Sequence, residues 1–226
     1  MIMKTIIAIA VSLIIIGCGG INHIKQTNDL PVLADELQVG QNVLSRDTLP
    51  SVDYPVLTTQ QRKDLAMQSS LDMPDSTRLI GVREACKSCS LAAYQVPGDD
   101  ERGFFKVYLM THRDDGAVID AINLGEFHTS EHQGPMRFGG NRFYTLDSSV
   151  TFDGKDHFTV HRVMTLTSIY LKDHTLTEGW RVEWDDNYKI TSDGHFNFTG
   201  QQETYRTDGI DDPIIEEFKS RNLPKR

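Results

Sequence analysis

The stretch Gly179-Trp-Arg-Val-Glu-Trp-Asp185 decides the fold class of this 226-residue chain. Large apolar side chains occupy every second position within it, and charged side chains occupy the positions between them. Because successive side chains of a strand point to opposite faces of a sheet, this alternation predicts a strand with one buried face. The stretch therefore predicts a sheet that packs against a core on one side.

Similar patterns recur on both sides of this stretch. In His157–Leu166 one predicted face carries Phe158, Val160, Met164 and Leu166. In Phe196–Thr199 phenylalanine alternates with polar residues, and Phe104–Thr111 and Val118–Leu124 are further apolar strand candidates. The second half of the chain is therefore predicted to be rich in strands.

The connections between these runs carry hairpin signals. Asp-Gly pairs occur at positions 115–116, 153–154 and 193–194, each between two strand-like runs. Asp-Gly readily adopts the positive φ angles of a tight hairpin turn. We expect a mainly β domain in which seven to ten strands form an antiparallel meander, arranged as a curled sheet, a sandwich or a partial barrel.

A short helix is predicted before the strands. Thr58 and Gln61 have the spacing of a capping box, Leu65 and Leu71 are the main apolar anchors, and Pro74 lies beyond the end. We expect this helix to pack on the sheet as a flap.

A second short helix is predicted at the end of the chain. Asp211 or Asp212 can cap it, and Pro213 suits its first turn. Acidic residues come early and basic residues late, which complements the helix dipole. The residues predicted to dock it on the sheet are Ile214, Ile215 and Phe218.

The first residues of the chain have the form of an export signal. Lys4 precedes an apolar run from Ile6 to Ile16, which is shorter than the roughly 20 residues of a membrane-spanning helix. A short apolar run after an early cation is typical of a secretory signal peptide. This segment predicts that the protein is exported.

The residues Ile15-Ile16-Gly17-Cys18 resemble the lipobox of bacterial lipoproteins. The resemblance covers this motif and the signal before it, and no family is identified for the rest of the chain. It implies that Cys18 becomes the new N-terminus and carries acyl chains, so that the partner of the protein is the membrane. Residue 19 is Gly and not the Asp that favours inner-membrane retention, which implies the outer membrane of the cell envelope. The alternative is an ordinary secretory signal or membrane anchor.

The predicted organisation is a signal peptide over residues 1–17, a lipidated N-terminus and tether over 18–57, and a single β-rich domain over 58–226. The tether assignment follows from a polar segment interrupted by Gly and Pro, with a short helix expected around Asp35–Leu44. The chain holds 23 Lys and Arg against 32 Asp and Glu, a net charge of −9. Because an acidic surface repels phosphate groups, this balance argues against nucleic-acid binding and against binding to membranes by charge.

Two cysteines remain after Cys18, in Cys86-Lys-Ser-Cys89. An oxidising envelope favours a disulfide between them, and so short a loop makes it a local staple. The alternatives are a redox-active pair, with Arg83 and Lys87 favouring a thiolate, or metal ligands or free thiols. The surrounding sequence lacks the βαβ pattern of thioredoxin-like proteins, which favours the structural disulfide.

The pattern His128-Thr-Ser-Glu131-His132 matches the H-x-x-E-H motif of zinc peptidases. That chemistry requires a helix, which would place both histidines on one metal and Glu131 beside a bound water. Gly125 and Gly134-Pro135 bracket the motif, so we interpret it as a surface loop. The three residues are weak metal candidates, and no cofactor is predicted.

His157 and His161 are also four residues apart, but they lie in a predicted strand. They would be about 13 Å apart on one face, which is too far to share a metal ion. With Thr159 and Thr165 they form a polar face that is expected to be solvated; the alternative is that it lines a ligand cavity if the sheet curls.

These observations favour a lipid-anchored envelope protein with a binding or structural β domain and no evident catalytic activity. Its expected partner, besides the membrane, is an envelope protein or a small ligand. The alternative is a lipid-anchored hydrolase of envelope polymers or peptides. That hydrolase would use metal at His128 and His132, or carboxylates that the sequence alone does not bring together.

Overall fold

The structure is a computed structural model, and it describes residues 31–33, 35–39, 54–97, 105–135, 140–170, 176–208 and 213–223. The predicted signal peptide, the predicted lipobox with Cys18, and the predicted helix caps Asp211 and Asp212 lie outside these residues. Nine strands and two helices lie within the described part of the chain. They are β1 (Glu36–Val39), α1 (Thr59–Ser69), β2 (Arg78–Cys86), β3 (Cys89–Pro97), β4 (Phe105–Arg113), β5 (Val118–Pro135), β6 (Gly140–Asp153), β7 (His157–Tyr170), β8 (Leu176–Ile190), β9 (Phe196–Arg206) and α2 (Pro213–Arg221).

The strands form the antiparallel meander that the sequence predicts. Strands β2 to β9 lie side by side in chain order, and β1 is added to β6. The Asp-Gly pairs lie in the predicted turns, where Gly116, Gly154 and Gly194 have positive φ angles. The predicted fold class is confirmed as a curled antiparallel sheet. Of the helices in the described ranges, neither has the length and apolar character needed to cross a bilayer.

Strand β5 divides the meander into two sheets. Its residues from Val118 to His128 pair with β4, whereas those from His128 to Pro135 pair with β6. The first sheet consists of β2, β3, β4 and the first half of β5, and the second sheet consists of the second half of β5 and β6 to β9. Gly125 lies three residues before the change of partner, where the pairing of β5 with β4 is irregular, and has a φ angle of +81°. Beyond that point β1 takes the place of β5 and pairs with Ser148–Thr151 of β6.

The main core lies between these two sheets. It is formed by alternate residues of the facing strands, as expected for sheets with one face turned inward. Its fully buried members include Leu91, Val107, Leu109, Leu124, Phe127, Val150 and Val160. A second core lies between β6, β7 and β8 and helix α2, whose Ile215 and Phe218 are buried in it and whose Ile214 is partly buried against it. The predicted docking residues of the C-terminal helix are confirmed.

Helix α1 covers the outer face of the first sheet. Its capping box is present, because the Thr58 side chain accepts from the Gln61 amide at 3.3 Å and the Gln61 side chain accepts from the Thr58 amide at 2.8 Å. Leu65 of the helix packs with Tyr94, Tyr108 and Met110 of the sheet. The predicted flap is confirmed, and it buries β3 and β4 on both of their faces.

The predicted tether over residues 18–57 overlaps the folded domain. Leu33 and Leu37 are buried in the main core, and Glu36–Val39 is a strand where a helix was expected. Farther along, the Leu57 amide donates to the Thr77 carbonyl at 2.9 Å beside β2. The folded part therefore includes residues of the predicted tether, because Leu33 and Leu37 both join the main core.

Candidate functional site

The outer face of the second sheet is polar and uncovered in the described part of the structure. We call it the outer polar face, and define it by alternate residues of three strands whose side chains are exposed or half-buried. Their immediate neighbours in the chain are buried, except that Trp180 beside Arg181 is partly buried. The face comprises Thr145, Asp147, Ser149 and Thr151 of β6, Thr159, His161, Val163 and Thr165 of β7, and Arg181, Glu183, Asp185, Asn187 and Lys189 of β8.

The predicted polar residues of β7 lie on this face, but they do not line a cavity. The sheet curls with its apolar face inward, so His161, Thr159 and Thr165 point to the solvent side. The expected solvated face is observed, because the apolar residues between these positions occupy the concave side. The face can act as a contact surface and not as an enclosed pocket.

Neighbouring strands hold the side chains of the outer polar face in place. The His161 Nδ1 lies 2.8 Å from Asp185 Oδ1, and its Nε2 lies 3.4 Å from Glu183 Oε2. Thr159 donates to Asn187 at 3.0 Å, and Arg181 Nε lies 2.5 Å from Glu183 Oε1. Because cross-strand contacts already order these groups, binding through them costs less side-chain entropy than binding through free surface residues.

His157 lies on the same face of β7, closer to the hairpin turn. Its Nδ1 is 2.9 Å from the Asp156 carboxylate, and its side chain is about half exposed. His157 and His161 do not come together, as the strand spacing predicts.

The H-x-x-E-H motif lies in strand β5 and not in a helix or a loop. His128 is paired in register with Asp147, Glu131 with Tyr144, and His132 with Phe143. Residues four apart in a strand are about 13 Å apart, so the two histidines do not share one metal ion. The interpretation as a surface loop is wrong for the backbone, and the helix required by the metal-dependent hydrolase is not formed. Among residues with described side chains, no three His, Cys, Asp or Glu groups converge as a metal site.

Cys86 and Cys89 flank the turn between β2 and β3 as paired residues, with their sulfur atoms at disulfide distance. Cys89 is buried in the main core and Cys86 is half-buried. Arg83 does not face this pair, since it lies 3.3 Å from Asp35, donates to the Gly154 carbonyl at 2.9 Å and stacks over Phe152. This arrangement fits a local staple better than an activated thiolate.

A buried ion pair lies on the inner face of the second sheet, and the sequence reasoning missed it. Arg162 and Asp186 are fully buried, with Arg162 Nε 2.8 Å from Asp186 Oδ2. Arg162 also donates to Ser148 Oγ at 2.9 Å and to the Leu124 and Glu126 carbonyls, and Gln201 donates to Asp186 at 2.7 Å. These polar groups form a layer between the main core and the α2 core.

The Arg162 guanidinium supplies hydrogen-bond donors to β5 where the pairing of β5 with β4 is irregular. There the Leu124 and Glu126 carbonyls accept hydrogen bonds from Arg162. A buried carbonyl without a hydrogen-bond donor is costly, and hydrogen bonds from a charged donor are strong. The two carbonyls and the buried Arg162 guanidinium therefore stabilise each other. A sequence signal exists, because Arg162 and Asp186 both occupy positions of the apolar alternation that predicts β7 and β8.

The residue that follows helix α2 packs against the same part of β5, beside Gly125 and Glu126. The Asn222 side chain accepts from the Glu126 amide at 2.9 Å and donates to the Phe218 carbonyl at 2.9 Å. A β-carbon on Gly125 would lie 2.4 Å from Asn222 Oδ1. Glycine is therefore required here both for its φ angle and for the space that Asn222 occupies.

His112 and Tyr94 form a buried pair on the covered side of the first sheet. The His112 Nε2 is 3.4 Å from the Tyr94 hydroxyl, and its Nδ1 is 3.3 Å from the Gly116 carbonyl. Burial lowers the pKa of His112 and raises the pKa of Tyr94. Both side chains are therefore neutral at pH 7, and their role is structural.

Comparison with protein-family models, curated proteins and solved structures finds no match to this chain. The conclusions about function therefore rest on its own residues.

Proposed function

We propose that this chain is a lipid-anchored protein of the bacterial envelope whose β domain binds a partner through the outer polar face. The observation that carries this proposal is the contrast between the two sheets. Helix α1 covers the outer side of the first sheet, whereas the outer side of the second presents ordered polar groups to solvent.

The anchor is supported by the sequence at Cys18. Signal cleavage removes Lys4, the one charged residue of positions 1–17, so the net charge changes from −9 to −10. Attachment to the membrane by basic residues is disfavoured at that charge, and lipid on Cys18 supplies the attachment instead. Two or more acyl chains hold a protein stably, because each buried CH₂ contributes about 0.8 kcal/mol.

The anchor keeps the domain close to the membrane. Twelve residues lie between Cys18 and Pro31, the first described residue. At about 3.3–3.6 Å per residue they reach roughly 40 Å at full extension. Outer-membrane attachment, which follows from Gly19, would place the domain within this distance of that membrane.

The chemistry of the outer polar face indicates what it binds. It carries the carboxylates Asp147, Glu183 and Asp185 beside the cations Arg181 and Lys189, with threonine and asparagine side chains between them. Such a mixed surface favours a protein or small ligand that both donates and accepts hydrogen bonds.

Lipid attachment is tested by labelling with palmitate in a bacterial host. The wild type is expected to incorporate label, and Cys18→Ala is expected to lose it. A Cys86→Ala/Cys89→Ala double variant is the control, and it should keep the label because those thiols are not the attachment site. An unlabelled wild type would contradict the anchor.

The binding surface is tested by photo-crosslinking in the same host. A photoreactive residue replaces Thr159 or Asn187 on the outer polar face, or Met67 on α1, whose side chain is exposed. We expect defined adducts from the first two positions and none from Met67. Equal adducts at all three positions, or none at any of them, would contradict a binding role for this face.

A further inference from the structure

A buried histidine lies beneath the end of helix α1. His112 of β4 is fully buried and pairs in register with Val118, whose amide donates to the Gln68 side chain of α1 at 3.0 Å. His112 Nε2 also lies 3.4 Å from the hydroxyl of Tyr94, a side chain that packs with Leu65 of α1. The helix therefore covers the part of the first sheet in which the imidazole lies.

The groups in contact with this imidazole are uncharged. Its Nδ1 lies 3.3 Å from the Gly116 carbonyl, and its Nε2 faces the Tyr94 hydroxyl, which burial keeps neutral by raising the pKa of that group. Ser90 is the register partner of His112 on β3, and its buried hydroxyl has no hydrogen-bond partner in the described part of the chain.

The acidic and basic side chains of the elements around His112 bond to other residues or are exposed. They are Arg62, Lys63 and Asp64 of α1, Glu84 of β2, Arg113 of β4, Asp114 and Asp115 of the turn that follows it, and Asp120 of β5. Among the described residues, burial is the main cause that lowers the pKa of His112, and no charged side chain contributes to the shift. The described surroundings therefore offer no carboxylate that would stabilise a protonated ring.

Protonation of His112 is favoured only when the ring reaches water. A buried imidazolium without an anionic partner carries a large desolvation cost. The covered ring is therefore neutral, and its role at pH 7 is structural. In a form with α1 displaced, the ring takes up a proton near its ordinary pKa of 6.5.

The contacts that hold α1 on the sheet are few. Leu65 is the one buried residue of the helix, and the hydrogen bond between Gln68 and Val118 joins its end to β5. Segments with few buried apolar contacts open at a lower free energy than the core of the same domain. Opening also hydrates the Ser90 hydroxyl, which is costly to bury without a partner. Displacement of α1 therefore costs less free energy than unfolding of the sheet.

We propose that α1 is an acid-released flap, which protonation of His112 displaces from the first sheet. Above pH 6.5 both forms carry a neutral ring, so the covered form keeps its full advantage. Below that value the open form binds a proton that the covered form does not, so the covered form loses stability as the pH falls. Opening uncovers the side chains of Tyr94, Tyr108 and Met110. The proposal depends neither on the lipid anchor nor on binding through the outer polar face.

The test is amide hydrogen exchange of the full-length, detergent-solubilised protein, measured by mass spectrometry at pH 7 and pH 5. Each rate is divided by the intrinsic exchange rate at that pH, which gives the protection of the segment. We expect the protection of α1 to fall by roughly tenfold, and by at most about 25-fold, which is the gain of an open form that titrates at 6.5. Peptides from β7 and β8 should keep their protection, because the second sheet stays folded.

Two variants separate His112 from the other histidines. His112→Gln keeps a side chain that can hydrogen-bond but does not take up a proton in this range, so the protection of α1 should be the same at both pH values. His157→Gln removes a half-exposed histidine of the second sheet and should behave as the wild type does. If His112→Gln does not fold, nuclear magnetic resonance of the wild type replaces it. The His112 ring should then titrate below 6.5, and the signals of α1 should change with it.

Three results would overturn the proposal. One is equal protection of α1 at pH 7 and pH 5 in the wild type. Another is an equal loss of protection in α1 and in β7 and β8, which would mean that the domain unfolds as one unit. The third is a pH dependence that persists in His112→Gln or, where that variant does not fold, a wild-type His112 ring that titrates at 6.5 or above.

Discussion

The two sheets of this domain use their outer faces in opposite ways. In the first sheet, β3 and β4 are buried on both faces, because α1 and the segment after it pack on the outer side. In the second sheet, β6, β7 and β8 alternate between buried and solvent-facing residues along most of their described length. The outer side of the first sheet is therefore covered, whereas the outer side of the second faces solvent in the described part of the chain.

The largest expected effect comes from the ion pair that lies on the inner side of the second sheet. Arg162→Met leaves the Asp186 carboxylate buried without its cation, which typically costs about 3–5 kcal/mol. Urea unfolding should show this loss. The double variant Arg162→Met/Asp186→Leu should recover only part of it, because removing the buried charge is favourable but the Leu124 and Glu126 carbonyls still lose their donor. A single variant as stable as the wild type would show that the inner polar layer is not needed.

The junction between the sheets is tested by Gly125→Ala. The substitution introduces strain at a φ angle of +81° and displaces Asn222 Oδ1, so we expect a loss of about 2–3 kcal/mol. Gly154→Ala is the matched control, because Gly154 has a φ angle of +77° and open space where its β-carbon would be. It should cost about 1 kcal/mol from backbone strain alone. Equal losses in urea unfolding would contradict the role of Asn222.

Two identical substitutions compare the outer faces directly. Val96 of β3 is buried under α1, and Val163 of β7 is half-buried on the outer polar face. Val96→Ala should lower the free energy of unfolding by roughly 2 kcal/mol through lost burial and a cavity. Val163→Ala should lower it by less than about 1 kcal/mol. Equal losses would show that the covered outer face of the first sheet does not contribute more to the free energy of unfolding than the outer polar face does.

The smallest effect concerns the attachment of α2 to the second sheet. Hydrogen bonds from Arg206 and Lys219 lower the pKa of Glu203 to about 2. A lowered carboxyl pKa stabilises the fold above the ordinary value of 4.5, and this contribution is lost as the pH falls from there toward 2. Because the site is partly exposed, Glu203→Gln should cost about 0.2–1 kcal/mol at pH 7. At pH 2, urea unfolding should show no difference between Glu203→Gln and the wild type. A difference of the same size at pH 7 and at pH 2 would contradict the assignment.

The sequence predicts the second sheet better than the first. One-sided burial leaves an alternating pattern, so β7 and β8 can be recognised from their residues, and both helices from their caps and dipole signals. Two-sided burial removes the alternation, as in Leu91-Ala-Ala-Tyr94 of β3. Such a run identifies a buried segment, but it does not determine which face of the strand packs against which neighbouring element.

What the sequence could not supply is the pairing between distant strands. Gly125 and Gly134-Pro135 are turn residues in the sequence, yet β5 continues as one strand through Gly125 and pairs with β6 from His128 to Pro135. The proximity of His161 to Asp185 and Glu183 depends on the register of β7 against β8. Register is set by the whole sheet, so these contacts cannot be derived from local spacing.

The central claim, one covered and one uncovered outer face, is tested most directly by thiol labelling. A cysteine is introduced at Met110 on the outer face of the first sheet or at Thr151 on that of the second, in a protein whose native cysteines give the baseline. A soluble maleimide should modify Thr151→Cys rapidly and Met110→Cys about a hundredfold more slowly, because labelling there requires opening of the structure. Equal labelling rates at the two positions under native conditions would contradict the account.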